Sequence, residues 1–97
     1  MSNTIKILKD AIAIVEKHKE EFEKFDVTAL GAGEITGIRV TLKNTEKTWE
    51  YLKENIADFK KVDDDDAELF YIEKKINDVV ISHLIFKSEY EELLEEY

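Results

Sequence analysis

The chain predicts an α+β fold, on three observations. Two stretches carry apolar residues at helical spacing, two pairs of short runs alternate like strands, and a capping signal opens a last helix. The elements read α-β-β-α-β-β-α. Their natural assembly is a four-stranded antiparallel sheet with helices packed on one face.

The first helix is expected over residues 4–25. Leu8, Ile12, Val15, Phe22 and Phe25 recur at spacings of three, four, seven and three, and Ile7, Ala11, Ile14 and His18 widen the stripe. Ser2, Asn3 or Thr4 can cap its start. An extended run from Asp26 to Leu30 follows, then Gly31-Ala32-Gly33, then a second run from Ile35 to Leu42. There Ile38, Val40 and Leu42 alternate with Gly37, Arg39 and Thr41, the period of a strand with one buried face. A glycine-bearing connection between two such runs predicts a hairpin.

Asn44 or Thr45 caps a second helix, roughly 45–58 by capping and periodicity, with Trp49, Leu52, Ile56 and Phe59 as its apolar face. After an aspartate run come Leu69–Lys74 and Val79–Phe86. Asn77-Asp78 sits at the tip of this second hairpin, where a tight turn requires positive φ. Ser88 and Glu91 match a capping box, opening a short helix with Tyr90, Leu93, Leu94 and Tyr97 on one side. So short a helix is unstable alone and must dock or fray. Phe70, Ile72, Val80 and Ile85 predict that part of the sheet's second face is apolar as well, a candidate interface.

Ninety-seven residues form a single compact domain over 1–97, burying roughly two-thirds of the unfolded surface. There is no cysteine, so neither a disulfide framework nor a thiolate zinc site is expected. No signal-peptide pattern opens the chain, and the longest apolar run, Ala11–Val15, is too short to cross a bilayer. The expectation is a cytoplasmic protein without membrane attachment, in the host cell's cytoplasm if a phage encodes it.

Charge is distributed unevenly. Residues 1–48 balance eight basic against eight acidic side chains, while residues 49–97 set fifteen acidic against six basic and so hold the whole formal charge of −9. The acid gathers in Asp63-Asp64-Asp65-Asp66 with Glu68, and in the ending Glu89-Tyr90-Glu91-Glu92-Leu93-Leu94-Glu95-Glu96-Tyr97. Such a field draws in positively charged partners and repels nucleic acid and anionic membranes. With Arg39 as the sole arginine and scattered lysines, direct nucleic-acid binding has no basis.

Chemical motifs fail on their spacing. Gly31, Gly33 and Gly37 place the third glycine one residue late for a dinucleotide loop, and a strand follows where a helix is required. A calcium loop begun at Asp63 would put Ala67, Glu68 and Lys74 at positions 5, 6 and 12, which call for a ligand, a glycine and a glutamate. His18 lies on the helix stripe and His83 in an apolar strand, so both read as core residues. Ser82 and His83 are adjacent in a strand and point to opposite faces. No catalytic residue, metal or cofactor is expected, and the chain reads as no enzyme.

The terminal glutamates carry the remaining signal. Glu89, Glu92 and Glu96 fall at i, i+3 and i+7, with Glu91 and Glu95 beside them, and like charges at that spacing cost helix stability. The bland explanation is solubility. The functional one is a partner with a basic surface. In overall style, and in the blocks Asp63–Asp66 and Glu89–Glu96, the chain resembles the small acidic inhibitors that bacteriophages encode, anti-CRISPR proteins and other DNA mimics. That resemblance implies a stoichiometric inhibitor occupying the nucleic-acid groove of a bacterial defence enzyme or other nucleic-acid-handling protein. The binding surface would then comprise Asp63, Asp64, Asp65, Asp66, Glu68, Glu89, Glu92, Glu95 and Glu96, with Tyr71, Tyr90 or Tyr97 as aromatic anchors. Two alternatives stand beside it. One is an interaction module or homodimer using the apolar sheet face. The other is a small-molecule or nucleotide-sequestering protein built on Arg39, Lys43, Lys60 and Lys61.

Overall fold

The computed structural model describes residues 2–33, 37–62, 67–77 and 79–96. Asp63–Asp66, Ile35, Asp78 and Tyr97 lie outside the described residues. The architecture is α+β, with a five-stranded mixed sheet in the order β1-β2-β5-β4-β3.

Helix α1 spans Ser2–Lys17 and a one-turn α2 spans Lys19–Phe22. The expected single helix over 4–25 is therefore interrupted at His18, whose backbone leaves the helical region (φ −108°, ψ 27°). Ala11 is buried and Ile14, Val15 and Phe22 pack against the core. Ile5, Leu8 and Ile12 face solvent instead, at 55, 54 and 58 % exposure. Phe25 stacks edge-on against Phe22 and Tyr51, and Tyr51 against Phe59, so an aromatic chain ties α2 to the next helix.

Strand β1 (Val27–Gly33) pairs antiparallel with β2 (Gly37–Leu42). Gly31-Ala32-Gly33 thus belongs to the strand, and the connection falls at 34–36, outside the described residues. Gly37 takes a positive φ of 70° where β2 begins, a conformation open to glycine. Helix α3 (Glu46–Asn55) continues into a 3₁₀ turn at Ile56–Asp58. Thr45 caps α3 by accepting from the Thr48 amide. It also donates to the Asp26 carboxylate at 2.7 Å, binding the start of β1 to the start of α3.

The expected four-stranded antiparallel sheet is corrected in two respects. A two-residue strand β3 (Lys60–Lys61) adds to the edge, pairing with β4 (Leu69–Ile76). At the centre, β2 and β5 (Val79–Phe86) run parallel, Val40 beside Ile81. The parallel pairing follows from connectivity. The chain leaves β2, crosses through α3, lays down β3 and β4 outside, and returns by a hairpin to fill the gap. That hairpin matches expectation, closing at Ile76 and Val79, with Asn77 at φ 49°.

Register sorts the two faces. Ile38, Val40, Leu42, Phe70, Ile72, Val79, Ile81, His83 and Ile85 point to the helical side and are buried there with Leu52, Ile56 and Leu93. Helix α4 (Lys87–Glu96) docks on this layer through Leu93, fully buried, an anchor of about 1.5–3 kcal/mol. Its capping differs from the Ser88–Glu91 expectation. Glu89 reaches back to accept from the Phe86 amide at 3.2 Å, so the reciprocal contact starts two residues earlier. No described helix is long and apolar enough to cross a membrane.

Candidate functional site

Among the described residues no helix packs on the sheet's second face, which divides into two halves. Near the β4–β5 turn, Arg39 on β2 reaches Glu73 on β4 at 3.3 Å, an ion pair that straddles β5 above Ser82 and Val80. Toward the opposite end, Leu69 faces Phe86 and Tyr71 faces Leu84 across the β4–β5 ladder. All four are exposed, at 43, 55, 46 and 42 %. Val62, whose amide donates to the Tyr71 carbonyl at 3.0 Å, extends the patch toward the edge at 49 % exposure. The open face is apolar as expected, through residues other than those anticipated. Phe70, Ile72 and Ile85 belong to the core face, and Val80 alone of that set sits on the open one.

This patch lies where the acid begins. The Asp63–Asp66 run lies outside the described residues, but both of its roots are placed. On the leading side, the Lys61 ammonium stands 4.5 Å from the centroid of the Phe70 ring. On the trailing side, the Glu68 carbonyl accepts from the Lys87 amide at 2.8 Å. Lys87 opens α4, and Tyr90, one turn on, lays its ring edge against Phe70 with centroids 5.5 Å apart. One aromatic therefore joins β3, β4 and α4, and the two acidic blocks issue from the same end of the sheet.

The predicted site residues distribute accordingly. Glu68, Glu92 and Glu95 are exposed, and Glu89 is half-buried in its capping role. Tyr71 is exposed on the open face, while the half-buried Tyr90 is engaged by Phe70. Glu96 belongs to α4, and its side chain, like Tyr97, falls outside the description. Glu95 occupies the last turn, which holds no basic residue. The carbonyl end of a helix dipole disfavours an anion there. Among the described residues, ion pairs include none from Glu91, Glu92 or Glu95.

Sequence reasoning missed a second polar cluster. Lys74, on the core face of β4, donates to Glu21 at 2.9 Å and to Asn55 and the Tyr51 hydroxyl at 3.2 Å. The Tyr51 hydroxyl donates to the same Glu21 oxygen. Burial pushes the Glu21 carboxyl up, but the hydrogen bonds from Tyr51 and Lys74 outweigh it and hold the group below its ordinary range. Burial, and then the neighbouring Glu21, drive the Tyr51 phenol strongly upward, so it stays protonated. A phenol held this way donates and does not act as a base. The cluster locks α2, α3 and β4 together. The partners of Lys74 lie 19 to 53 residues away along the chain, so no local pattern could reveal it.

His83 is buried on the core face, its Nδ1 without a partner among the described residues. Burial draws its pKa down and keeps the ring neutral. Among the described residues no cluster of three or more His, Asp or Glu is arranged to hold a metal. The basic residues considered for a nucleotide do not converge. Arg39 is taken by Glu73, Lys43 is exposed elsewhere, and the open depression at Lys60 and Lys61, about 390 Å³, mixes Lys75 with Asp58 and Glu73. Compared with known proteins, the chain matches no family model, no curated protein and no solved structure.

Proposed function

We propose that the protein is a non-enzymatic binding protein that holds a basic protein surface against the acidic end of its sheet. The carrying observation is the Glu68–Lys87 backbone hydrogen bond, which roots the aspartate run and the glutamate helix at one corner. Beside that corner lies the exposed patch of Leu69, Tyr71, Leu84 and Phe86. Glu68 and the root of the aspartate run border that patch, while α4 carries its glutamates on the helical side of the same corner. In this reading the exposed aromatics are the anchors and the acid sets on-rate and partner choice. Surfaces that bind nucleic acid are basic, with lysine and arginine clustered on one face. The specific form of the proposal is therefore a stoichiometric inhibitor that occupies the nucleic-acid-binding surface of a bacterial defence or other nucleic-acid-handling protein, in the manner of anti-CRISPR proteins.

The test is capture from bacterial lysate at low and high salt with wild type and with Asp64→Lys/Asp65→Lys. The expected result is a nucleic-acid-handling protein retained by wild type, shed by salt and lost from the variant. Purified, it should bind one-to-one and be displaced by its own nucleic acid. Equal retention by both forms, or retention indifferent to salt, sinks the reading.

A further inference from the structure

The two edges of the sheet are built differently. The β3 edge is two residues long and both are lysines, a short charged edge of the kind that blocks strand addition. The β1 edge is seven residues, Val-Thr-Ala-Leu-Gly-Ala-Gly, without charge or proline. Its register irregularity falls between Val27 and Ala29, leaving Ala29–Gly33 regular. It pairs with β2 on one side, and no described strand lies on the other. A Cβ built at Gly31 would meet nothing within 4 Å.

Beside this edge lies uncovered apolar surface. Leu30 projects on the same side of the sheet as its core-facing partner Val40, yet is 53 % exposed. On α1, Ile5, Leu8 and Ile12 form a stripe at spacings of three and four, more than half exposed. At 100° per residue this stripe sits about 60–120° around the helix from buried Ala11. The β2–α3–β3 crossover joins parallel strands, and such connections are right-handed. That hand places β1 at the left edge, viewed from the helices with β2 pointing up, and α1 packs over β1 and β2, the two strands at this edge.

We propose that β1 and this flank of α1 form the contact between two copies of the chain. Strand β1 adds antiparallel to β1 of a second copy, and the two α1 stripes close over the seam. Three features select a second copy as occupant. A twofold axis lets one uncharged edge satisfy itself. The contact uses the half of the chain whose charges cancel, so two molecules of charge −9 meet away from their acid. The acidic loop is rooted at the opposite edge, four strand spacings or roughly 19 Å away, about two screening lengths at physiological salt. With the β3 edge blocked, assembly stops at two and does not grow into a fibre. The 16-residue α1 runs about 24 Å, and with the 20 Å extent of the molecule this bounds the face at roughly 1,000 Å² for both copies, the area a small biological interface has to reach.

Analytical ultracentrifugation of the whole chain over a wide concentration range tests this, with circular dichroism as the control for folding. Wild type should approach twice its 11.3 kDa mass, with little dependence on salt. Ile5→Glu/Ile12→Glu, at exposed positions, should weaken association at least tenfold. Leu84→Glu/Phe86→Glu, on the open sheet face, should leave it unchanged. Hydrogen exchange should show β1 amides better protected in concentrated than in dilute protein. A monomer at every concentration, growth beyond two copies, or a dimer lost with Leu84→Glu/Phe86→Glu and kept with Ile5→Glu/Ile12→Glu each overturns the proposal.

Discussion

Glutamates receive opposite treatment in two regions of this molecule. Glu21 is three-quarters enclosed, accepts from Tyr51 and Lys74, and joins three elements. Glu91, Glu92 and Glu95 stand in solvent on α4 without an ion pair among the described residues, one of them at the helix end that disfavours an anion. The first arrangement serves folding, because removing any member leaves a desolvated polar group behind. The second does nothing for folding and slightly opposes it. The proposed partner surface would account for acid placed against the helix's own preference.

Mutations sharpen the contrast. The largest effect is expected from Lys74→Met, which strips the ammonium from Glu21, Tyr51 and Asn55. Broken buried pairs cost more, but with 13 and 22 % of the two side chains exposed the loss should be about 2–3 kcal/mol in urea unfolding. A loss below ~0.5 kcal/mol, the range of an ordinary surface substitution, would remove the cluster from the folding account.

An acid titration ranks next. His83 is drawn below its ordinary value of 6.5 by burial, and Glu21 below 4.5 by its partners. In both cases the unfolded chain binds the proton more readily, so stability is complete above the ordinary values and falls with pH through the folded ones. The urea midpoint should decline first below pH 6.5 and again below 4.5, and Glu21→Gln should flatten the second decline. A midpoint unchanged down to pH 4 would refute both assignments.

Smallest on folding is Glu92→Gln/Glu95→Gln. Relieving like charges and an unfavourable dipole contact should leave stability level or raise it by ~0.5 kcal/mol, while partner capture weakens. Destabilisation with capture intact would invert the comparison.

Local features of the chain were largely legible and long-range ones were not. Thr45 as a cap, the apolar face of α3 and the Asn77 turn are all written within a few residues of where they act. The central parallel pairing is not, because Val40 meets Ile81 only once β3 and β4 have been laid outside. Strand β3 escaped notice because two lysines show no alternation. Gly31-Ala32-Gly33 read as a connection because glycine at a strand edge and glycine in a loop look alike. At the candidate site the acidic blocks were visible as composition. Their common root depends on Phe70 meeting Lys61 and Tyr90, a meeting of three elements. Leu8 and Ile12 followed the helical period yet remain uncovered, since periodicity reports an apolar flank and not what lies against it.

The strand order also dictates when each pairing can form. Strands β4 and β5 close through a two-residue turn, while β2 must find β5 across about forty residues of chain. By loop-closure entropy the second event costs about 3 kcal/mol more than the first before any contact repays it. The β4–β5 hairpin is therefore the natural early structure, and it presents the whole edge of β5 to solvent until β2 arrives. The β2–β5 pairing that completes the centre of the sheet is thus expected to form last, and until it does the open edge of β5 is the site exposed to mispairing.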